Sequence, residues 1–188
     1  LTKKENQLME TLIYSFQKSQ RLQNHIHFLY THGHMYKTMN QNLMFHGCIP
    51  LDHNGNFKEI LIQGKILKGK ALLDELQCIA KRAYYEHKQE DIDMMWFLWC
   101  SSSSPLFGKS QLTLFEKHFL DDKHLQQENM DPYYKWIEKE STCQMILNHF
   151  GITKGHIING HVPVRIKDGQ KPIKANGLLY VIDGGISK

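Results

Sequence analysis

The chain has 188 residues, of which 41% are hydrophobic and 22% are charged, and this composition is typical of a globular protein with a buried core. Its 23 basic and 19 acidic residues leave a net charge of +4, a bias too mild for a nucleic-acid-binding protein and compatible with an anionic small-molecule ligand. No apolar run approaches the roughly 18 residues that cross a bilayer, so the sequence predicts no membrane span.

The four cysteines are widely spaced and form no Cys-x-x-Cys pair. This spacing indicates neither a structural zinc site nor a redox dithiol. It predicts reduced thiols, which are typical of a cytoplasmic protein.

The first predicted element is a helix that runs to about Thr31. Thr2, with Glu5 three residues later, has the form of a capping box, and apolar residues follow at helical spacing. After a turn-rich stretch, residues 43–45 are predicted to form a short buried strand. A polar turn then leads to residues 57–62, which we interpret as the returning strand of a hairpin.

The middle of the chain is predicted to be mainly helical. Helical periodicity covers residues 69 to about 99, with an apolar stripe that we assign to the core. The four serines at residues 101–104 are predicted to form a loop, because no Gly-x-Ser-x-Gly elbow surrounds them to suggest a nucleophile. Two further helices are predicted at residues 112–119 and 136–150, and Gly151 ends the second.

The last part of the chain alternates strands and turns. A strand is predicted at Ile157 and Ile158, a turn at residues 167–169, and a final strand at residues 178–182 that stops at Asp183. The whole pattern predicts an α/β (α+β) protein with four or five buried strands between helices.

Two histidines follow apolar runs and lie next to glycines. His46 comes directly after residues 43–45 and before Gly47, and His161 follows the predicted strand at residues 157–158 through Asn159 and Gly160. A strand end holds a side chain rigidly, and neutral imidazole is the commonest protein ligand for metals. Taken alone, either histidine is more often an ordinary partly buried residue, so the pattern leaves open both that role and a metal site at the rim of the sheet.

Seven strings of the sequence, taken in chain order, resemble one protein family, class III fructose-1,6-bisphosphatase, which is a bacterial metallophosphoesterase. The resemblance covers nearly the whole chain. The strings are residues Asn42–Pro50, Trp99–Cys100, Ser104–Lys109, Pro132–Tyr134, Ile158–Val164, Pro172–Ala175 and Val181–Gly185.

The resemblance implies a four-layer αββα sandwich, of which this chain holds mainly the second sheet with its flanking helices and a helical insertion at about residues 69–150. The enzymes of this family are much longer. Their Asp-x-His, Gly-Asp-x-x-Asp-Arg and Gly-Asn-His-Asp motifs do not occur in this chain. Residues 1–188 are therefore expected to be an internal or C-terminal portion of the phosphoesterase domain. We expect that portion to lack the first half of the metal site and the general-acid histidine, and to be inactive alone.

The resemblance implies that His46 and His161 bind the same ion of a two-metal site. Mn²⁺ is the expected metal, and other divalent metals stay open. Asp183 is expected either to accept a hydrogen bond from an imidazole N–H or to be an ordinary turn carboxylate. Lys109 and Lys174 are candidate substrate-binding residues because a lysine neutralises phosphate, and a solvated surface role stays open for each.

The shared-metal hypothesis also predicts distances. Two ring nitrogens that bind one ion lie about 3 to 3.5 Å apart, so His46 and His161 must approach that closely. Lys174 and Asp183 are expected at the same rim of the sheet.

The activity that the resemblance implies is the hydrolysis of fructose 1,6-bisphosphate to fructose 6-phosphate and phosphate by metal-activated water, a step of gluconeogenesis. One alternative is a serine/threonine protein phosphatase-like metallophosphoesterase, which the strings Cys48–Pro50 and Trp99–Cys100 disfavour. Another is a non-catalytic regulatory or scaffold piece. The resemblance further suggests nucleotide or phosphoenolpyruvate effectors, and a homo-oligomer stays open.

Overall fold

The computed structural model describes residues 1–183, which fall into two compact units, Leu1–His34 and a second that begins at Met35. Gly184 and Gly185 of the last family string lie outside the described residues.

The described residues contain seven α-helices and seven strands, which confirms the predicted mixed α/β class. The helices are α1 Lys3–Lys18, α2 Gln20–His32, α3 Gly69–Tyr85, α4 Gln89–Cys100, α5 Leu114–Phe119, α6 Tyr133–Trp136 and α7 Glu140–His149. The strands are β1 Lys37–Met39, β2 Asn42–Phe45, β3 Ile60–Ile62, β4 Lys65–Leu67, β5 His156–Asn159, β6 Ile173–Lys174 and β7 Leu179–Val181.

The first unit is a pair of helices and not the single helix expected to Thr31. The capping box is confirmed, since the Glu5 backbone N–H donates to the Thr2 hydroxyl at 3.3 Å and the Thr2 N–H donates to the Glu5 carboxylate at 2.6 Å. The helix breaks at Ser19, whose hydroxyl accepts the N–H of Leu22 and so begins α2. A serine that can cap a new helix competes with continuation of the old one. No residue of α1 or α2 is buried.

The second unit is built on a five-stranded mixed sheet with the strand order β1-β2-β5-β7-β6. The three central strands, β2, β5 and β7, run parallel, and β1 and β6 are antiparallel edges. In the register of the central strands, Phe45 lies beside Asn159, and Asn159 lies beside Val181. The carboxyl ends of these strands therefore meet at one rim.

The predicted hairpin between residues 43–45 and 57–62 is wrong. Strand β3 pairs instead with β4 in a separate two-stranded sheet, and only an isolated bridge joins Leu51 to Phe57. The turn between β3 and β4 has two residues, Gln63 and Gly64, both with positive φ. Such a turn matches the twist of an antiparallel pair. Strand β3 therefore pairs with β4, the segment that follows it directly in the chain, and not with residues 43–45.

The main core lies between the inner face of the five-stranded sheet and α6 and α7. Tyr133 and α7 residues Ile146 and Leu147 are fully buried there. A second core joins β3 and β4 to α3 and α4, and it contains much of the α3 stripe that the sequence assigns to the core, whereas Leu73 of that stripe lies in the main core. The buried members of the second core are Ile60, Ile62, Leu72, Leu76, Ile79 and Leu98.

Two of the predicted long helices are interrupted. The segment at 69–99 is divided into α3 and α4, with His87 between them at φ 55. The segment at 136–150 contains the end of α6 and then α7, which Gly151 follows at φ 76. A left-handed residue cannot continue a right-handed helix, so each helix ends at or just before it. Residues 69–150 contain five helices and no strand longer than the bridge between Lys109 and Met130.

The outer face of the sheet carries a row of apolar side chains that is partly open. Met44, Ile158, Tyr180 and Ile173 are aligned across four neighbouring strands, and Ile173 is 51% exposed. Among residues 1–183, no helix is both long enough and apolar enough to cross a membrane.

Candidate metal centre

The two histidines meet at the carboxyl rim of the sheet because their strands are parallel neighbours. His46 directly follows Phe45 at the end of β2, and His161 follows Asn159, the last residue of β5, after a single glycine. The Nδ1 atom of His161 lies 3.3 Å from the Nε2 atom of His46. This distance confirms the expected approach of the two rings, whereas their role as metal ligands stays a prediction.

The orientation of the His161 ring is set by a backbone carbonyl. Its Nε2 atom lies 3.3 Å from the carbonyl oxygen of Phe107. A carbonyl oxygen only accepts hydrogen bonds, so Nε2 carries the proton and donates it, and the neutral ring then has its free lone pair on Nδ1. That lone pair is on the nitrogen that faces His46. The two ring planes are nearly perpendicular, at 89°.

The backbone around the two histidines is tied together by Asn159, which the sequence analysis did not single out. Its buried side-chain amide donates to the carbonyl oxygen of Gly47 at 3.3 Å and to the hydroxyl of Tyr133 at 3.0 Å. In addition, the Gly160 N–H donates to the His46 carbonyl at 3.2 Å. The signal available in the sequence was an asparagine at the end of an apolar run, directly before Gly160 and His161.

His161 itself has a left-handed backbone, with φ 72. This conformation is disfavoured for residues that carry a Cβ and costs about 1 kcal/mol. The hydrogen bonds of the neighbouring residues Asn159 and Gly160 hold the segment in place and offset that cost.

The surroundings of His161 favour its neutral form. Partial burial is the main reason why its pKa is lowered, and the nearby His46 and Lys109 lower it further when they are charged. The hydrogen bond to Phe107 and the negative charge of Asp183 act in the opposite direction. An imidazole must be neutral to bind a metal, so the lowered pKa favours the ligand form.

Lys109 lies in the loop that reaches His161. Its ammonium group forms an ion pair with Glu128 at 2.7 Å and lies 5.6 Å from the centre of the Phe107 ring. The structure therefore places one predicted substrate-binding cation near the histidine pair.

Lys174 does not lie at that rim. It pairs with Leu179, at the start of β7, and its ammonium group forms an ion pair with Glu138 at 2.6 Å. Because β6 runs antiparallel to β7, Lys174 and Asp183 lie at opposite ends of β7, so the expected shared rim is wrong for Lys174. Its role in substrate binding stays a prediction.

Asp183 does lie beside the histidines. A Cβ atom built on Gly160 would be 3.7 Å from the Asp183 Cβ and 3.2 Å from His46 Nδ1. The Asp183 backbone carbonyl accepts the N–H of Val164 at 2.9 Å. Its role as an acceptor for an imidazole N–H stays a prediction.

The donor set fits part of a metal site. Across the described residues, no group of three or more His, Cys, Asp or Glu side chains converges to hold an ion. Two imidazole nitrogens 3.3 Å apart match two adjacent positions around one ion. A complete site needs further ligands.

Comparison with known proteins places the chain in a family. The sequence profile of Firmicute fructose-1,6-bisphosphatase matches residues 1–188. The chain is 50% identical to a fructose-1,6-bisphosphatase class 3 of Clostridium botulinum (strain Hall) and 47% identical to that of Clostridium acetobutylicum. Each alignment covers 100% of this chain and 29% of the relative. No solved structure matches the chain. The chain belongs to the Firmicute fructose-1,6-bisphosphatase family.

Proposed function

We propose that the chain contributes to a phosphatase that hydrolyses fructose 1,6-bisphosphate to fructose 6-phosphate and phosphate. The observation that carries the proposal is the approach of His46 and His161 to 3.3 Å at the ends of two parallel strands. The names of the relatives support the choice of a sugar bisphosphate over a phosphoprotein as the substrate.

His46 and His161 would hold the metal through Nε2 and Nδ1, the two nitrogens that face each other. We propose Mn²⁺, although imidazole nitrogen also suits zinc and iron. When bound, such an ion polarises a phosphate oxygen and lowers the pKa of a coordinated water. Phe107 would keep the proton on His161 Nε2, and Lys109 would neutralise phosphate charge at the same rim.

The remaining ligands and the general acid are proposed to come from outside the described residues. The chain spans 29% of the length of the curated relatives, and its described part supplies two converging imidazoles. We therefore expect the chain alone to be inactive, because two ligands do not hold a pair of ions.

We also propose that the protein works in the cytoplasm. All four cysteines are free thiols, and Cys48 and Cys143 are buried, as is typical of a reducing compartment. Regulation by nucleotides or phosphoenolpyruvate and assembly into a homo-oligomer stay predictions.

The test uses the longer protein that contains this sequence. We expect manganese-dependent release of phosphate from fructose 1,6-bisphosphate and none from a phosphopeptide. His46→Ala is expected to reduce kcat/KM at least about a hundredfold through loss of a metal ligand, and His25→Ala, on an exposed helix surface, is the matched control. Equal activity of the two variants would remove His46 from the site.

A further inference from the structure

We propose that residues 101–108, here called the serine loop, are a positioning element for His161, and that Ser104 is the residue that maintains its shape. The inference deepens the proposed function and rests on it for the metal-binding role of His161. It concerns how the chain fixes which nitrogen of that ring faces His46.

Ser104 organises the loop from inside. It is 1% exposed, and its hydroxyl donates to the Leu98 carbonyl at 2.7 Å while accepting the Leu106 N–H at 3.1 Å. Its own carbonyl accepts the N–H groups of Phe107 at 3.3 Å and Gly108 at 3.1 Å. One side chain and its carbonyl thus tie the end of α4 to the residues that turn toward the histidines.

The folded loop contacts both histidine segments through backbone carbonyls. The carbonyl of Pro105 accepts the N–H of Cys48, which lies two residues after His46, at 2.8 Å. The carbonyl of Phe107 accepts the Nε2–H of His161 at 3.3 Å. The first contact is so close that a Cβ atom on Gly47 would lie 2.0 Å from the Pro105 oxygen. Only glycine at this position lets the loop approach.

This arrangement gives the serine loop a chemical task. The Phe107 oxygen selects the His161 form with the proton on Nε2, and Nδ1 is left free to face His46. A hydrogen bond to the second nitrogen of a ligand histidine fixes both its tautomer and its ring orientation, and its loss typically weakens metal binding 10- to 100-fold. The backbone carbonyl of Phe107 cannot be removed by a side-chain substitution. Substitution of Ser104 is therefore the way to change its position.

Ser102, in the same loop, provides the control. Ser102 is exposed, belongs to the same quartet and carries none of the bonds that shape the loop. Ser104→Ala and Ser102→Ala therefore make the same chemical change at a buried bonded position and at an exposed one.

The first measurement is NMR of the metal-free chain with ¹⁵N-labelled histidine rings, at a pH of about 8, where imidazoles are neutral. We expect His161 to carry its proton on Nε2. Ser104→Ala is expected to raise the share of the Nδ1-protonated form at least about twofold, and Ser102→Ala to leave it unchanged. A wild-type His161 with its proton on Nδ1 would overturn the inference, whether or not either variant folds.

The second measurement is the affinity for Co²⁺ of the longer protein and of the same variants made in it, because two imidazoles alone are only part of a metal site. Binding is followed at the ring signals of His46 and His161. We expect Ser104→Ala to weaken binding about tenfold or more and Ser102→Ala to change it less than about twofold. If Ser104→Ala does not fold, Gly47→Ala replaces it, because the added methyl group must displace Pro105. Unchanged tautomer and affinity in a folded loop variant would contradict the positioning role even if the metal site is real. The expected tautomer without Co²⁺ binding at the two rings would leave the loop contact intact and contradict the proposed metal pair.

Discussion

Asn159 joins the two histidine segments through a single buried amide. Its NH₂ group donates to Gly47 on one side and to Tyr133 on the other. Asn159→Ala would leave these buried acceptors without a donor, so we expect the free energy of unfolding to fall by about 2 kcal/mol. Urea denaturation measures this loss. Asn148→Ala, at an exposed amide on α7, should change stability by less than about 0.5 kcal/mol, and equal losses would contradict the role of Asn159.

Glu128 makes the fold sensitive to acid. Hydrogen bonds from Lys109, then from Thr113 and Lys117, hold the pKa of its carboxyl well below its usual range. A carboxyl with a depressed pKa in the folded state stabilises the protein above its unfolded pKa of about 4.3, and this contribution is lost as pH falls toward the folded value.

The corresponding prediction compares wild type with Glu128→Gln. Between pH 7 and pH 3 the wild type should lose about 1 kcal/mol more unfolding free energy than the variant, because the variant has no carboxylate to protonate. Urea denaturation at the two pH values measures the difference. The same loss in both proteins would show that Glu128 does not carry this pH dependence.

The histidine pair was predictable at the scale of residues, but its supports were not. Two His-Gly patterns after apolar runs indicated side chains at strand ends. Phe107 acts through its carbonyl oxygen, which every residue has, so its side chain gives no signal. Lys174 was misplaced because a strand of two residues, β6, has too little periodicity to show its direction.

Among the elements, the hairpin of β1 and β2 depends on Gly155. A Cβ atom at Gly155 would lie 1.6 Å from the carbonyl oxygen of Gln41 in the turn between these strands. Gly155→Ala must therefore displace the turn, and we expect a loss of about 3 kcal/mol.

Gly151→Ala provides the control for this prediction. Gly151 has a positive φ of 76 but no atom within 4 Å of a built Cβ, so only backbone strain of about 1 kcal/mol applies. Thermal unfolding of both variants compares the two effects. A smaller loss at Gly155 than at Gly151 would contradict the close approach.

The positions of the elements were more predictable than their ends and partners. Apolar periodicity located α3, β2, β5 and β7, because the buried side of each element requires apolar residues at the spacing of that element. The breaks at Ser19 and His87 depend on local capping and on one backbone angle. The pairing of β3 with β4 depends on the turn at Gln63 and Gly64, and hydrophobic spacing reports neither kind of feature.

For the whole molecule, the open outer face of the sheet predicts a covering layer. A row of apolar side chains that crosses four strands is unusual for a surface that faces water. We expect the first sheet of the sandwich to pack there in the longer protein.

Substitution of Ile173 tests this prediction. Ile173→Asp should change the unfolding free energy of the chain by less than about 1 kcal/mol, since this side chain is 51% exposed. In the longer protein the buried charge should cost several times more. Urea denaturation measures both losses. Equal losses in the two proteins would show that no layer covers the outer face at Ile173.

The central claim is that one metal ion binds both His46 and His161. Anomalous diffraction at the manganese edge, from crystals of the longer protein grown with Mn²⁺, tests it most directly. The account predicts one ion at about 2.0 to 2.2 Å from both His46 Nε2 and His161 Nδ1. Manganese bound elsewhere, or bound through separate ions to the two histidines, would contradict it.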